Sequence, residues 1–181
     1  MLTTNASAIR PSAEADLAAI TDIYAHAVLH GTASFEIVPP DRGELAARRR
    51  AVLSAGLPYL VAEADGRVLG YAYAGPYRTR PAYRSTVEDS IYVAPEAQGR
   101  GVGRALLARL IAETEARGYR QMVAVIGDSA NAASIGIHRA LGFELVGTLK
   151  DVGYKHGRWL DSVLMQRALG AGAAAPPTVG A

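Results

Sequence analysis

The chain has 181 residues, 50% hydrophobic and 20% charged, with a formal net charge of only +2, the profile of one globular domain that buries a core without cross-links and has no nucleic-acid partner. Its lack of cysteine excludes a cysteine acyl-enzyme and a thiolate metal site and suits a reducing cytoplasm; no metal is expected. No apolar signal core opens the sequence and no run approaches ~18 uninterrupted apolar residues, so neither export nor a membrane partner is expected.

Residues 1 to 7 read as flexible, and Ala8-Ile9-Arg10 as a short strand stopped by Pro11. Leu17, Ile20, Ile23, Tyr24, Ala27 and Val28 recur at three- and four-residue steps, which predicts an amphipathic helix to about His30. Asp41 is placed to cap a second helix that runs through Leu45, Arg49 and Val52. Residues 58–63 and 68–74 are apolar strands joined through Asp65-Gly66, a hairpin dipeptide. Val87, Asp89, Ile91 and Val93 then alternate with Glu88, Ser90 and Tyr92, a period of two that predicts a strand ended by Pro95. Leu106, Leu107, Leu110 and Ile111 continue at helical spacing to Gly118, and Gln121 to Ile126 is apolar and β-branched enough for a buried strand. A helix joins these two strands, so they should be parallel. Asn131 to Leu141 predicts a further helix closed by Gly142, and Phe143 to Leu149 with Trp159 to Gln166 two closing strands. The expected domain is 8–169, followed by a disordered tail from 170 to 181. Three antiparallel strands, then strand-helix-strand-helix, then a hairpin make an α+β fold whose mixed sheet has one parallel joint.

The most informative stretch lies between the expected central strand and its helix, where Gly99, Gly101 and Gly103 stand at alternate positions. Glycines at a helix N-terminus, with its unpaired N–H groups, favour an anion. A P-loop needs Gly-Lys-[Ser/Thr], which is absent, and a dinucleotide fingerprint needs a third glycine where Arg104 or Leu106 stands. Gln-x-x-Gly-x-Gly does fit, at Gln98, Gly101 and Gly103, and resembles the pyrophosphate-binding segment of the GCN5-related N-acetyltransferase (GNAT) family, users of acetyl-CoA. A glycine-rich turn that only starts a helix is the plainer alternative. Where the two parallel strands diverge, a cleft should open at their carboxyl ends, with an edge at Ile91, Tyr92 and Val93 for an extended ligand.

The resemblance extends from about Ile9 to Arg167. Asn131 to Phe143 is similar to the family at large, and Thr86 to Val93, Val123 to Ile126, Ala140 to Phe143 and Lys155 to Asp161 are similar to the branch of that family that acetylates phosphinothricin, methionine sulfone or methionine sulfoximine. It implies a three-layer α/β/α fold with the acetyl-CoA cleft at the parallel joint, a homodimer, and direct transfer to a small amino-acid-like amine. By the same resemblance Ile91, Tyr92 and Val93 would bond pantetheine through backbone, Gly99, Arg100, Gly101, Val102, Gly103 and Arg104 would hold the pyrophosphate, and Asn131 would contact the cofactor. Asn131 is equally a preferred helix N-cap. Arg78, Thr79, Arg80, Glu88, Asp89 and Ser90 are the implied acceptor contacts, an arginine fork being suited to a carboxylate or phosphinate.

Glu88 is the candidate general base, since an ammonium must lose a proton before its nitrogen attacks a thioester. His138 stands seven residues after Asn131, where much of the family carries a tyrosine acid, and is the candidate acid. Ser134 and His138, at i, i+4, permit a serine nucleophile, which the absence of a Gly-x-Ser-x-Gly elbow disfavours. Phe35 is either an apolar wall or core. Two other functions compete: acetylation of a polyamine or protein N-terminus, which calls for an acidic pocket, and a non-catalytic acyl-CoA-binding module.

Overall fold

The computed structural model describes residues 7–177. In chain order its elements are β1 (Ala8–Pro11), α1 (Leu17–His30), α2 (Arg42–Ser54), β2 (Tyr59–Ala64), β3 (Arg67–Pro76), β4 (Thr86–Val93), α3 (Val102–Ala116), β5 (Gln121–Gly127), α4 (Ala132–Ala140), β6 (Glu144–Lys155) and β7 (Arg158–Ala168). The strands form one sheet in the order β1-β2-β3-β4-β5-β7-β6. Every neighbouring pair is antiparallel except β4 with β5, which gives the α+β architecture with its single parallel joint.

Local chemistry accounts for the boundaries. Asp41 caps α2 as expected, its carboxylate accepting from the Glu44 N–H at 2.8 Å. Asp65 and Gly66 both adopt left-handed φ, 51° and 74°, the twist that a two-residue hairpin between β2 and β3 requires.

The two-residue period of β4 sorts the sheet into faces. Tyr92 packs edge-on against Tyr24 of α1, with ring centroids 4.8 Å apart, so Glu88, Ser90 and Tyr92 look toward α1 and α2. Asp89 meets His138 of α4, so Val87, Asp89, Ile91 and Val93 look toward α3 and α4. Helices therefore cover both faces. Ile20 and Val28 of α1 pack on one side, and Leu106, Leu107 and Leu110 of α3 on the other, all essentially inaccessible to water.

The last hairpin differs from expectation. β6 and β7 run on to a turn at His156-Gly157, whose φ angles of 51° and 75° are both left-handed, and β6 absorbs an irregularity between Leu149 and Gly153. Lys150-Asp151 looks like a loop in sequence because polar residues sit at that irregularity. Residues 170–177, expected to be disordered, include a short turn at Gly172–Ala174, and Arg120 Nη2 donates to the Pro176 carbonyl at 3.0 Å. Of the flexible N-terminus expected over 1–7, only Ser7 lies within the described residues, and 178–181 lie outside them.

Candidate active site

β4 and β5 pair only from Thr86↔Gln121 to Asp89↔Ala124. Beyond that point β4 stays bonded to β3, as at Ala72↔Ile91 and Gly70↔Val93, while β5 stays bonded to β7, as at Ile126↔Val163. Each strand thus follows its outer neighbour, the inner edges part, and a cleft of about 460 Å³ opens between them. Ser90, Ile91 and Tyr92 line one edge and Val125 to Gly127 the other, closed by the segment Ala33–Glu36 and by α4.

The turn that leads from β4 into α3 has the features of an anion site. Gly101 is the N-cap of α3 with φ 81° and no side-chain cap, and no acidic residue lies in the first turn. Gly99 is also left-handed, at 72°, so both glycines are required by the turn itself. The N–H groups of Val102, Gly103 and Arg104 precede Ala105, the first to donate within the helix, to the Gly101 carbonyl at 3.0 Å, so they are available to an anion. Arg100 and Arg104 are exposed beside them. Unpaired donors, positive charge and a first turn without carboxylates are the chemistry a pyrophosphate would need, and the inner edge of Ile91 to Val93, unpaired with β5, could pair with an extended ligand. Asn131 caps α4, its Oδ1 accepting from the Ser134 N–H at 3.2 Å, and also lines the cleft.

The cleft itself holds the candidate acid and base groups. Glu88 is half-buried on the α1 face, two residues before Ser90, at the last turns of the parallel ladder. Burial raises its carboxyl pKa first, repulsion from Asp89 adds to this, and Arg78 partly offsets it. Of the expected acceptor contacts, Glu88, Asp89 and Ser90 line the cleft. Arg78, Thr79 and Arg80 do not. They are exposed on the connection from β3 to β4, where the Arg78 guanidinium lies over the Tyr77 ring, 5.0 Å from its centroid.

Sequence reasoning did not select Tyr73, which lines the cleft, nor Glu36, which accepts from Arg48 at 2.6 Å and from the Tyr24 hydroxyl at 3.0 Å. Residues 12 apart on α1, a loop and α2 carry no short-range signal. Phe35 does stand at the wall, 39% exposed.

His138 is almost wholly buried, 3% exposed, against the edge of Phe143. Its Nε2 lies 3.0 Å from Asp89 Oδ2 and its Nδ1 2.7 Å from the Ser134 carbonyl. Both nitrogens face acceptors, so the doubly protonated ring fits best. Burial lowers its pKa, but the hydrogen bond and charge of Asp89 and the Ser134 carbonyl outweigh burial and raise it overall. The expected acid role meets an obstacle here, because neither N–H is left for a departing thiolate. A serine nucleophile fares no better: Nδ1 already donates to a carbonyl and cannot also accept from Ser134 Oγ, 3.4 Å away. Among the described residues, no group of three or more His, Cys, Asp or Glu is placed to hold a metal ion.

Residues 18–143 match the acetyltransferase (GNAT) family, and the chain belongs to that family. It is 60% identical to a phosphinothricin N-acetyltransferase of Alcaligenes faecalis, over 92% of this chain and 85% of that protein. To the L-methionine sulfoximine/L-methionine sulfone acetyltransferase of Salmonella typhimurium it is 47% identical, over 89% of this chain and 94% of that one. The crystal structure of a phosphinothricin acetyltransferase from Sinorhizobium meliloti in complex with AcCoA superposes with a TM-score of 0.94 at 51% identity, covering 97% of this chain and 95% of the other. The chain is an acyltransferase by family, and its fold is that of a structure solved with acetyl-CoA.

Proposed function

We propose that the chain is an acetyl-CoA-dependent N-acetyltransferase of small amino-acid-like acceptors of the phosphinothricin, methionine sulfone and methionine sulfoximine type. The observation that carries this is the placement of Glu88. It is a desolvated carboxylate where the strands part, on the face opposite Asp89 and α4. An acceptor entering from the α1 side gives its ammonium proton to Glu88, and the freed amine attacks the thioester carbonyl. An unpaired N–H on the inner edge of β4 polarises the carbonyl oxygen, and the adduct collapses with CoA leaving as the thiolate, which takes up the second proton that the new amide nitrogen sheds. We assign His138 to holding Asp89 rather than to protonating that thiolate.

Charge pairing favours an anionic amino acid over a polyamine. Glu36 is neutralised by Arg48 and Asp89 by His138, so the cleft is not the array of unpaired carboxylates a polycation would seek, and the charge of Arg78 reaches Glu88. Thiol release from acetyl-CoA should accelerate with such amino acids, and Arg78→Gln should raise their KM by about 10–100-fold, the scale of a charge-assisted hydrogen bond, while a matched neutral amine is little affected. Equal losses for both acceptors would remove Arg78 from the acceptor site. No release with any primary amine, despite acetyl-CoA binding, would favour a non-catalytic module.

We further propose a cytoplasmic homodimer. In support of the dimer, Leu145, Val146, Leu149, Val152, Tyr154 and Trp159 of the β6–β7 hairpin are each at least half exposed, an apolar surface unusual for a monomer. Among the described residues no helix is long and apolar enough to cross a membrane, and the cytoplasm agrees with the lack of cysteine. Trp159→Glu should convert the dimer to a monomer in sedimentation. A wild-type chain already monomeric at micromolar concentration, or found with the membrane fraction, would refute the respective part.

A further inference from the structure

Lys155 is buried, only 4% exposed, and takes no part in the chemistry above. It stands at the end of β6 and donates from Nζ to the Ser34 carbonyl at 2.7 Å. Burial pushes its ammonium pKa down, with Glu36 opposing. Placing an ammonium there is costly compared with an apolar side chain of similar length, so its role should be sought in what it holds. That is the connection from α1 to α2, the segment that supplies Ala33, Ser34, Phe35 and Glu36 to the cleft.

The same connection is fastened at other points along the hairpin and the end of β5. His156 Nε2 donates to the Gly31 carbonyl at 3.2 Å. Thr32 Oγ1 donates to Asp128 Oδ2 at 3.1 Å, and Arg158 donates to that same oxygen. Phe35 rests on two bare backbones. A Cβ on Gly153 would lie 2.4 Å from Phe35 Cε2, and one on Gly127 would lie 2.9 Å from Phe35 Cε1 and 2.3 Å from the Thr32 carbonyl oxygen. Gly153 and Lys155 are two apart on one strand and so share a face. A connection with no regular structure of its own is thereby clamped between ring, glycines and lysine.

We propose that Lys155 is a positioning residue for the acceptor wall, and that Gly153 and Gly127, by letting Phe35 sink onto the sheet, set the acceptor side-chain length the cleft admits. This rests on the reading of the cleft as an acceptor site. A methyl group at 153 lifts the ring toward the space opposite Glu88 and shortens the site. Loss of the Lys155 donor frees the Ser34 carbonyl and lets the whole wall drift.

The test uses Lys155→Met and Gly153→Ala, with Phe35→Leu added to the second. KM and kcat are measured for amino acids from alanine to methionine sulfone, acetyl-CoA affinity by calorimetry, and hydrogen exchange at the amides of 32–36. Lys155→Met should raise acceptor KM at least tenfold and speed exchange at 32–36, with acetyl-CoA affinity within twofold of wild type. Gly153→Ala should shift kcat/KM at least tenfold toward the short side chain, and Phe35→Leu should reverse that shift. Unchanged exchange and unchanged acceptor KM in folded Lys155→Met would overturn the clamp, as would equal loss of affinity for both substrates. If Gly153→Ala does not fold, Lys155→Met alone decides. Should wild type acetylate no amino acid, the acceptor reading fails and the selectivity claim with it, whereas the clamp still stands or falls on the exchange at 32–36.

Discussion

Glu88→Gln is expected to lower turnover by about 10²–10⁴-fold while acetyl-CoA binding stays nearly unchanged, because the amide keeps the shape of the carboxylate but cannot accept a proton. The wild-type rate should fall on the acid side with an apparent pKa above the ordinary carboxylate value, since burial and then Asp89 raise it, and the variant should lose that limb. Stability supplies an independent arm. A folded-state pKa raised above the unfolded value contributes stability that is fully present below the unfolded pKa and lost as pH rises through the folded pKa. Ionised Glu88 therefore costs stability at neutral pH, and Glu88→Gln should melt at the same temperature as wild type or higher at pH 7. That difference should close in acid. Wild-type turnover with an unaltered pH profile would show that the base is water or another group.

His138→Phe should destabilise the fold by about 3–5 kcal/mol, the cost of leaving a buried charge without its partner. Asp89 is as deeply buried as His138, and its Oδ1 has no hydrogen-bond partner among the described residues, so it has no alternative cation. Adding Asp89→Asn to His138→Phe should recover much of the loss, which is the signature of coupling rather than of two separate defects. The pH dependence follows from the raised pKa of His138. The stabilisation is complete below the unfolded value of 6.5 and lost as pH rises through the folded value. Denaturant unfolding across that window should show wild type weakening and Asp89→Asn weakening less. A His138→Phe variant as stable as wild type would remove the ion pair from the argument.

The central strand, its glycine turn and the following helix were legible because each rests on contiguous residues: the alternation from Val87 to Val93, the positive φ that Gly99 and Gly101 supply, the 3.6-residue spacing after Gly103. The parallel pairing of β4 with β5 was legible for the same reason, since the helix between them leaves no room for a hairpin. The cleft's polar partners were harder. Glu88 and Asp89 are adjacent in sequence yet face opposite layers, and nothing local says that His138, 49 residues on, closes on Asp89. The wall is harder still: Phe35, Gly127 and Gly153 come from three separate elements, and a glycine kept for the ring packed on it looks like any other glycine. Arg78 and Arg80 were implied by the resemblance, but the chain places them on the exposed connection from β3 to β4, outside the lining of the cleft.

The early end of the ladder between β4 and β5 has a thermodynamic consequence. The sheet is left one strand short at its centre, and an extended ligand with amide groups would complete it. Bound cofactor then counts as part of the folded state, and mass action adds about 2.7 kcal/mol of stability when it is present at a hundred times its Kd. On the proposed reading a cell rich in acetyl-CoA would hold a sturdier enzyme than a starved one, with the difference felt where β4 and β5 part.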